Sequence, residues 1–151
     1  MPELPEIETI KRQLNTKIVG KVWQGKKIIK VRRRAKLLII DLEDKTSLIF
    51  HLKLTGQLIY NGKPGKHTRQ VFVFDDKSQL IFNDMRKFGW WKQVKDTREI
   101  ENGFGPEPLE MQYEDFKKRL KQRLRTRIKP LLLDQKFIAE QANLVSDALA
   151  W

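Results

Sequence analysis

The chain contains no cysteine and two histidines, His51 and His67. That excludes a disulfide framework, leaves too few ligands for a zinc cluster and fits a reducing cytoplasm. No apolar run approaches the ~20 residues of a membrane-spanning helix. Residues 1–20 lack the pattern of a secretory signal. Negative charge is scarce: 19 Asp and Glu stand against 31 Lys and Arg, a net +12 over 151 residues. Such an excess points to a polyanionic partner. Apolar residues make up 40%, with four Trp and eight Phe, enough for a packed core rather than disorder. Internal repeats and low-complexity linkers are lacking too, and at 151 residues one domain, or one small domain plus an appendage, is expected.

Hydrophobic spacing divides the chain. Residues 5–15 read as an amphipathic helix with Ile7, Ile10 and Leu14 on one face. Gly20 and Gly25 mark a change of period. Short strand-like runs follow at 28–31, 37–42, 47–54, 57–60, 70–74, 79–82 and around Trp90 and Trp91, with polar turns at 43–45, 61–62 and 75–78. This spacing predicts an antiparallel sandwich or barrel. Beyond it, Phe116, Leu120, Leu124 and Ile128 recur every four residues and predict one helical face; Pro130 opens a short helix, and 138–151 reads as another. Between Lys117 and Lys129, eight of 13 residues are basic and none is acidic. A charge run is usually a solvated face, but one without acidic partners repels itself, and a phosphate backbone relieves that repulsion.

The first residues, Met1-Pro2-Glu3-Leu4-Pro5-Glu6-Ile7-Glu8, carry the most chemistry. Removal of Met1 leaves Pro2 with a free secondary amine. An α-amino group has a pKa of roughly 7.7–8.0, so part of it is neutral and nucleophilic at neutral pH. Such an amine attacks a carbonyl carbon and dehydrates to an iminium, an electron sink for elimination, with the Glu3 carboxylate at hand to move protons. The plain alternative is a helix start, since proline and acidic residues suit a first turn.

The string MPELPEIET resembles the start of the formamidopyrimidine-DNA glycosylase family, related to endonuclease VIII. The resemblance continues in family order through RRRAK (32–36), HLKLTGQL (51–58), KHTR (66–69), FNDMRKFGWW (82–91), GPEPL (105–109) and IKPLLLDQ (128–135). It implies an α+β fold: an N-terminal helix plus antiparallel β-sandwich over 1–108, then a truncated helix–two-turn–helix-like DNA-binding region over 109–151. It implies base-excision repair of oxidised purines (formamidopyrimidine and 8-oxoguanine) in double-stranded DNA, with nicking of the abasic site. Pro2 is then the nucleophile, Glu3 the proton shuttle and Lys36 a cation near the phosphate of the damaged nucleotide. Leu54, Arg86 and Phe88 fill the gap left by the extruded base. His51 and Arg69 match phosphate-contacting positions, Lys129 a site-lining lysine and Asn143 a phosphate-binding asparagine. Arg32, Arg33 and Arg34 track phosphates or solvent. The chemistry needs no cofactor, and the setting is cytoplasmic, at the bacterial nucleoid, with no membrane.

Several departures stand beside this. The family's glycine-rich turn is replaced by Glu140-Gln141-Ala142-Asn143-Leu144-Val145, which reads as continuous helix. Trp151 ends the sequence before the rest of the helical module and the four-cysteine zinc finger. Lys21-Val22-Trp23-Gln24 stands where the family has a strand and a helix, which should remove part of the sandwich. Expected alternatives are therefore a weak or inactive DNA-binding remnant, or one subunit of a split enzyme whose partner chain completes the helical module. Excision from a duplex is expected to be weaker than cleavage at a preformed abasic site.

Overall fold

Helix α1 (Leu4–Ile18) opens with a capping box in which Glu3 and Glu6 each accept from the other's backbone N–H, and Pro5 sits in its first turn. It is longer than the predicted 5–15, because Leu14 and Ile18 both remain buried. The computed structural model describes residues 2–139.

Among the described residues eight strands follow: β1 (Val22–Trp23), β2 (Lys26–Arg34), β3 (Leu37–Leu42), β4 (Ser47–His51), β5 (Gly56–Tyr60), β6 (Thr68–Val73), β7 (Gln79–Asp84) and β8 (Trp90–Val94). They form two antiparallel sheets, ordered β1-β2-β3-β4-β8 and β5-β7-β6. The fold class is α+β, as the spacing and the resemblance imply. Leu38, Ile40 and Phe50 from the first sheet meet Phe72, Leu80 and Phe82 from the second, with Ile7, Leu14 and Ile18 of α1 in the same core. Phe50 lies edge-on to Phe72 (ring centroids 5.4 Å) and Phe82 (6.0 Å), and Phe72 edge-on to Trp91 (5.0 Å). These tilted arrangements suit the ring quadrupole.

The short Gly20–Gly25 segment, expected to cost part of the sandwich, makes a strand of its own. Gln24 and Gly25, both at positive φ (48° and 76°), turn the chain so that Val22 pairs with Lys27 and Trp23 with Lys26. Trp23 is buried 5.5 Å from the Phe72 ring and bridges to Phe74. One aromatic side chain thus closes this side of the core.

Two further differences concern the ends of predicted elements. Strand β4 stops at His51 rather than at Leu54, since the chain turns back through Lys53 at φ 53° and Gly56 N–H bonds to the Leu52 carbonyl (2.8 Å). The second difference is the predicted helical face through Phe116, Leu120, Leu124 and Ile128, which does not run unbroken. Helix α3 (Tyr113–Lys121) ends early, and Leu124 and Ile128 are exposed. Like charges a turn apart oppose continuation of a helix through this basic run.

The chain divides into two compact units, one up to Thr97 and one from Arg98 onward. The sequence reading puts the boundary after residue 108. The GPEPL segment is bonded within the second unit, Gly105 N–H to the Gln135 carbonyl (2.6 Å) and Ala139 N–H to that of Pro106 (2.9 Å). This unit holds α2 (Arg98–Glu101), α3 and α4 (Ile128–Leu133), around a small core of Leu131, Leu132, Phe137 and Ile138 flanked by Met111, Phe116 and Leu120. The helix expected over 138–151 falls almost wholly outside the described residues.

Candidate active site

Pro2 stands just before the capped end of α1, half-buried, on a cleft of about 540 Å³ that it shares with Glu6, Ile10, Leu54 and Thr55. The helix that presents it is fastened to β2. Glu8 accepts from Arg33 Nε (2.8 Å), Lys11 Nζ (2.8 Å) and Arg12 Nε (3.1 Å), and the Asn15 amide oxygen accepts from Val31 N–H (3.0 Å). Burial alone would raise the Glu8 pKa. The hydrogen bonds from Lys11, Arg33 and Arg12 outweigh it and hold the carboxyl at about 2.

Glu3 and Lys36 meet directly. Lys36 Nζ lies 2.8 Å from Glu3 Oε2, with side-chain exposures of 12% and 10%. A two-residue turn between β2 and β3 delivers the lysine, with Ala35 buried at φ 52°. The neighbouring arginines have another task than the one expected. Arg32 is paired with Asp41 (2.7 Å) and donates to Thr97 (2.9 Å), while Arg33 is buried against Glu8 and the Ala35 carbonyl. Both brace the sheet.

His51 closes β4, half-buried beside Trp90. Burial first, then the charges of Lys53 and Lys36, holds its pKa down at about 4, so the imidazole is neutral at neutral pH. Its Nδ1 accepts from Lys53 N–H (3.1 Å), which fixes the tautomer with the proton on Nε2.

The remaining candidates of this unit gather around a residue the sequence reading passed over, Asp84. Its side chain is fully buried. The carboxylate accepts from the Thr55 hydroxyl and from the backbone N–H groups of Gly89 (2.6 Å) and Arg86 (3.2 Å). Burial pushes its pKa up, but the bonds from Thr55, Gly89, Arg86 and Lys87 prevail and lower it. Its backbone carbonyl accepts from Arg69 Nε (2.9 Å), and Arg69 is the extra residue of a bulge in β6. Leu54 is half-buried in the turn beside Thr55, whereas Phe88 is 55% exposed with the Arg86 guanidinium 5.1 Å from its ring centroid. A glycine on each of these two turns is required for space. A Cβ on Gly56 would lie 2.4 Å from the Leu52 carbonyl oxygen, and one on Gly89 2.9 Å from Asp84 Oδ2. An Asp closing a strand-like run, with Gly five residues further on, was the available signal for such a turn.

The sequence model of the formamidopyrimidine-DNA glycosylase N-terminal domain matches residues 21–91. The formamidopyrimidine-DNA glycosylase of Herpetosiphon aurantiacus is 34% identical, over all of this chain and 66% of its own length. The Lactococcus lactis enzyme, solved noncovalently bound to DNA containing an abasic site, superposes with a TM-score of 0.83 at 32% identity over 99% of this chain and 69% of its own. A second such enzyme, in complex with DNA containing carbocyclic 8-oxoguanine, gives 0.84 at 31% identity over 99% and 68%. The chain belongs to the formamidopyrimidine-DNA glycosylase family.

It spans just under two thirds of the length of the curated relatives it matches. Alignment to the Herpetosiphon glycosylase runs over 182 positions against 151 residues here, so 31 of those positions have no counterpart in this chain. Of the other glycosylase-type candidates, Lys129 lies in α4 of the second unit and Asn143 falls outside the described residues. The basic run is exposed except for Arg119 and Leu120, which are half-buried. Cations of the run are engaged locally: Arg119 bonds the Phe137 carbonyl (3.2 Å), Arg123 pairs with Asp134 (3.2 Å), and Lys117 lies over the Tyr113 ring (5.8 Å to its centroid). The sequence includes no cysteine, and among the described residues no group of His, Asp or Glu is placed to hold a metal ion.

Proposed function

We propose that this protein excises oxidised purines from duplex DNA and cleaves the resulting abasic site through its N-terminal proline. One observation carries the reading: Pro2 opens onto the cleft lined by Leu54, and the residue that follows it, Glu3, is in buried contact with Lys36. In this reaction the Pro2 nitrogen bonds to C1′ as the bond from C1′ to the base breaks, and the base leaves with that electron pair and takes up a proton. Opening of the sugar at C1′–O4′ gives the iminium. Loss of a C2′ proton then drives out the 3′-phosphate, and a second elimination releases the 5′-phosphate. Glu3 accepts and returns protons, with Lys36 beside it as the charge that meets the flanking phosphate. The iminium is the electron sink, so covalent nucleophilic catalysis needs no cofactor. Neutral His51 offers its Nε2–H, and Arg69 its guanidinium, to backbone oxygens. Leu54, Arg86 and Phe88 occupy the space of the extruded nucleotide.

The direct test incubates this chain with duplexes carrying one 8-oxoguanine, one abasic site or no lesion. Cleavage at both lesions and none in the undamaged duplex is expected. Cleavage of none of the three would refute the reading.

DNA binding through the basic run is a separate expectation. Arg125 and Arg127 are exposed, so Arg125→Ala/Arg127→Ala removes charge without disturbing the Arg123–Asp134 pair. Affinity should fall to a similar degree for all sequences, and the slope of log affinity against log salt should flatten by about one unit per lost phosphate contact. An unchanged slope, measured by fluorescence anisotropy, would put the contacts elsewhere.

A further inference from the structure

We propose that Asp84 is a positioning residue that locks the two wedge-bearing turns together before DNA is met; this rests on the repair reading above. Leu54 lies on the turn after β4, and Arg86 and Phe88 lie on the turn after β7. These turns are separated by about thirty residues, yet a single buried carboxylate holds both, taking the Thr55 hydroxyl from one and the Gly89 and Arg86 N–H groups from the other. Arg86 N–H also reaches Thr55 Oγ1 (3.1 Å), closing a triangle between the turns. The same residue's backbone takes Arg69 at its carbonyl and gives its N–H to the His67 carbonyl (2.9 Å). One residue thereby organises three chain segments and four candidate DNA-contacting side chains.

Both turns are strained in the same manner. Lys53, just before Leu54, has φ 53°, and Lys87, just before Phe88, has φ 62°. L-residues enter that region at a cost, and persist there when the surroundings over-determine the backbone. Several charge-assisted hydrogen bonds to a fully buried carboxylate are strong enough to do so. The wedges need this. Filling the gap of an extruded nucleotide requires side chains already in place, since ordering them on contact subtracts from binding. A preformed abasic site in a single strand has no stacked base to replace and asks little of them.

Thr55→Val deletes the hydroxyl while keeping the shape, and Thr55→Ser restores it. The first measurement is amide hydrogen exchange of the free protein. Thr55→Val should speed exchange at Arg86 and Gly89 at least tenfold, and Thr55→Ser should return it towards the unaltered chain. The second compares single-turnover cleavage of an 8-oxoguanine duplex with that of a single-stranded abasic oligonucleotide. Thr55→Val should lose at least tenfold on the duplex and less than threefold on the single strand. Unchanged exchange overturns the proposal, as does an equal loss on both substrates. Should the unaltered chain cleave neither substrate, the repair reading fails, and faster exchange in Thr55→Val would still support the clasp. Asp84→Asn provides a second variant: its amide keeps one accepting oxygen and puts a donating NH2 in place of the other, and the same pattern is expected of the folded variant.

Discussion

A Pro2→Glu chain, which keeps Met1 because its second residue is bulky, should yield no borohydride-trapped adduct with abasic DNA, whereas the unaltered chain should yield one. The substitution makes two changes at the reacting atom. It removes the secondary amine, and it moves the free amino group to Met1, about 3.8 Å further along the backbone. Covalent attack depends on reacting atoms held near contact distance, where small displacements cost orders of magnitude. The expected loss is at least a hundredfold. DNA affinity should stay within about threefold, because the Lys117–Lys129 run is untouched. In the unaltered chain the trapping rate should rise with pH through roughly 7.7–8.0, since only the neutral amine has a lone pair to give. Trapping by a Met1-retaining chain at the unaltered rate would remove Pro2 from the mechanism.

Glu8→Gln should cost about 3 kcal/mol of stability and lower the melting temperature by roughly 10 °C. Glu8 is the anchor between α1 and β2, and Arg33 beside it has a side chain only 5% exposed. Removing the carboxylate takes the Glu8 charge away from this buried guanidinium, and breaking a buried pair from one side is costly. The pH dependence has a fixed sign. Glu8 titrates at 4.5 when unperturbed and at about 2 in the folded protein. Its stabilisation is therefore complete above 4.5 and is lost as pH falls towards 2. Denaturant midpoints taken from pH 6 to pH 2.5 should show the unaltered chain and Glu8→Gln converging on the acid side. Curves that stay parallel would mean that the ion pair contributes nothing. Because α1 also presents Pro2, the variant should lose trapping at temperatures where it begins to unfold.

Much of the fold was legible because its determinants are local. The short apolar runs from Ile28 to Val94 mark the strands, and the polar turns between them lie where expected. Prolines and glutamates at the start of α1 announce its capped end. The helix after Tyr113 was harder. Four-residue spacing of Leu124 and Ile128 looks like a buried face, but burial depends on what else fills the core, and Leu131, Leu132, Phe137 and Ile138 fill it from the other side. A repeat of apolar residues specifies a possible face, not an occupied one.

The site divides along the same line. Sequence alone determined the chemistry on offer: a proline amine after Met1, a carboxylate beside it, apolar and cationic side chains on turns, and a basic surface. It also determined the family, through motifs whose order survives the short Gly20–Gly25 connection. Only the tertiary structure decided that Glu3 meets Lys36, that Arg32 and Arg33 are consumed by ion pairs, and that one buried carboxylate, Asp84, joins turns far apart in the chain. The reason is physical. Residue type and spacing fix what a side chain can do within a turn or two of backbone, whereas pairing, desolvation and shared hydrogen bonds depend on neighbours that only the folded chain brings within reach.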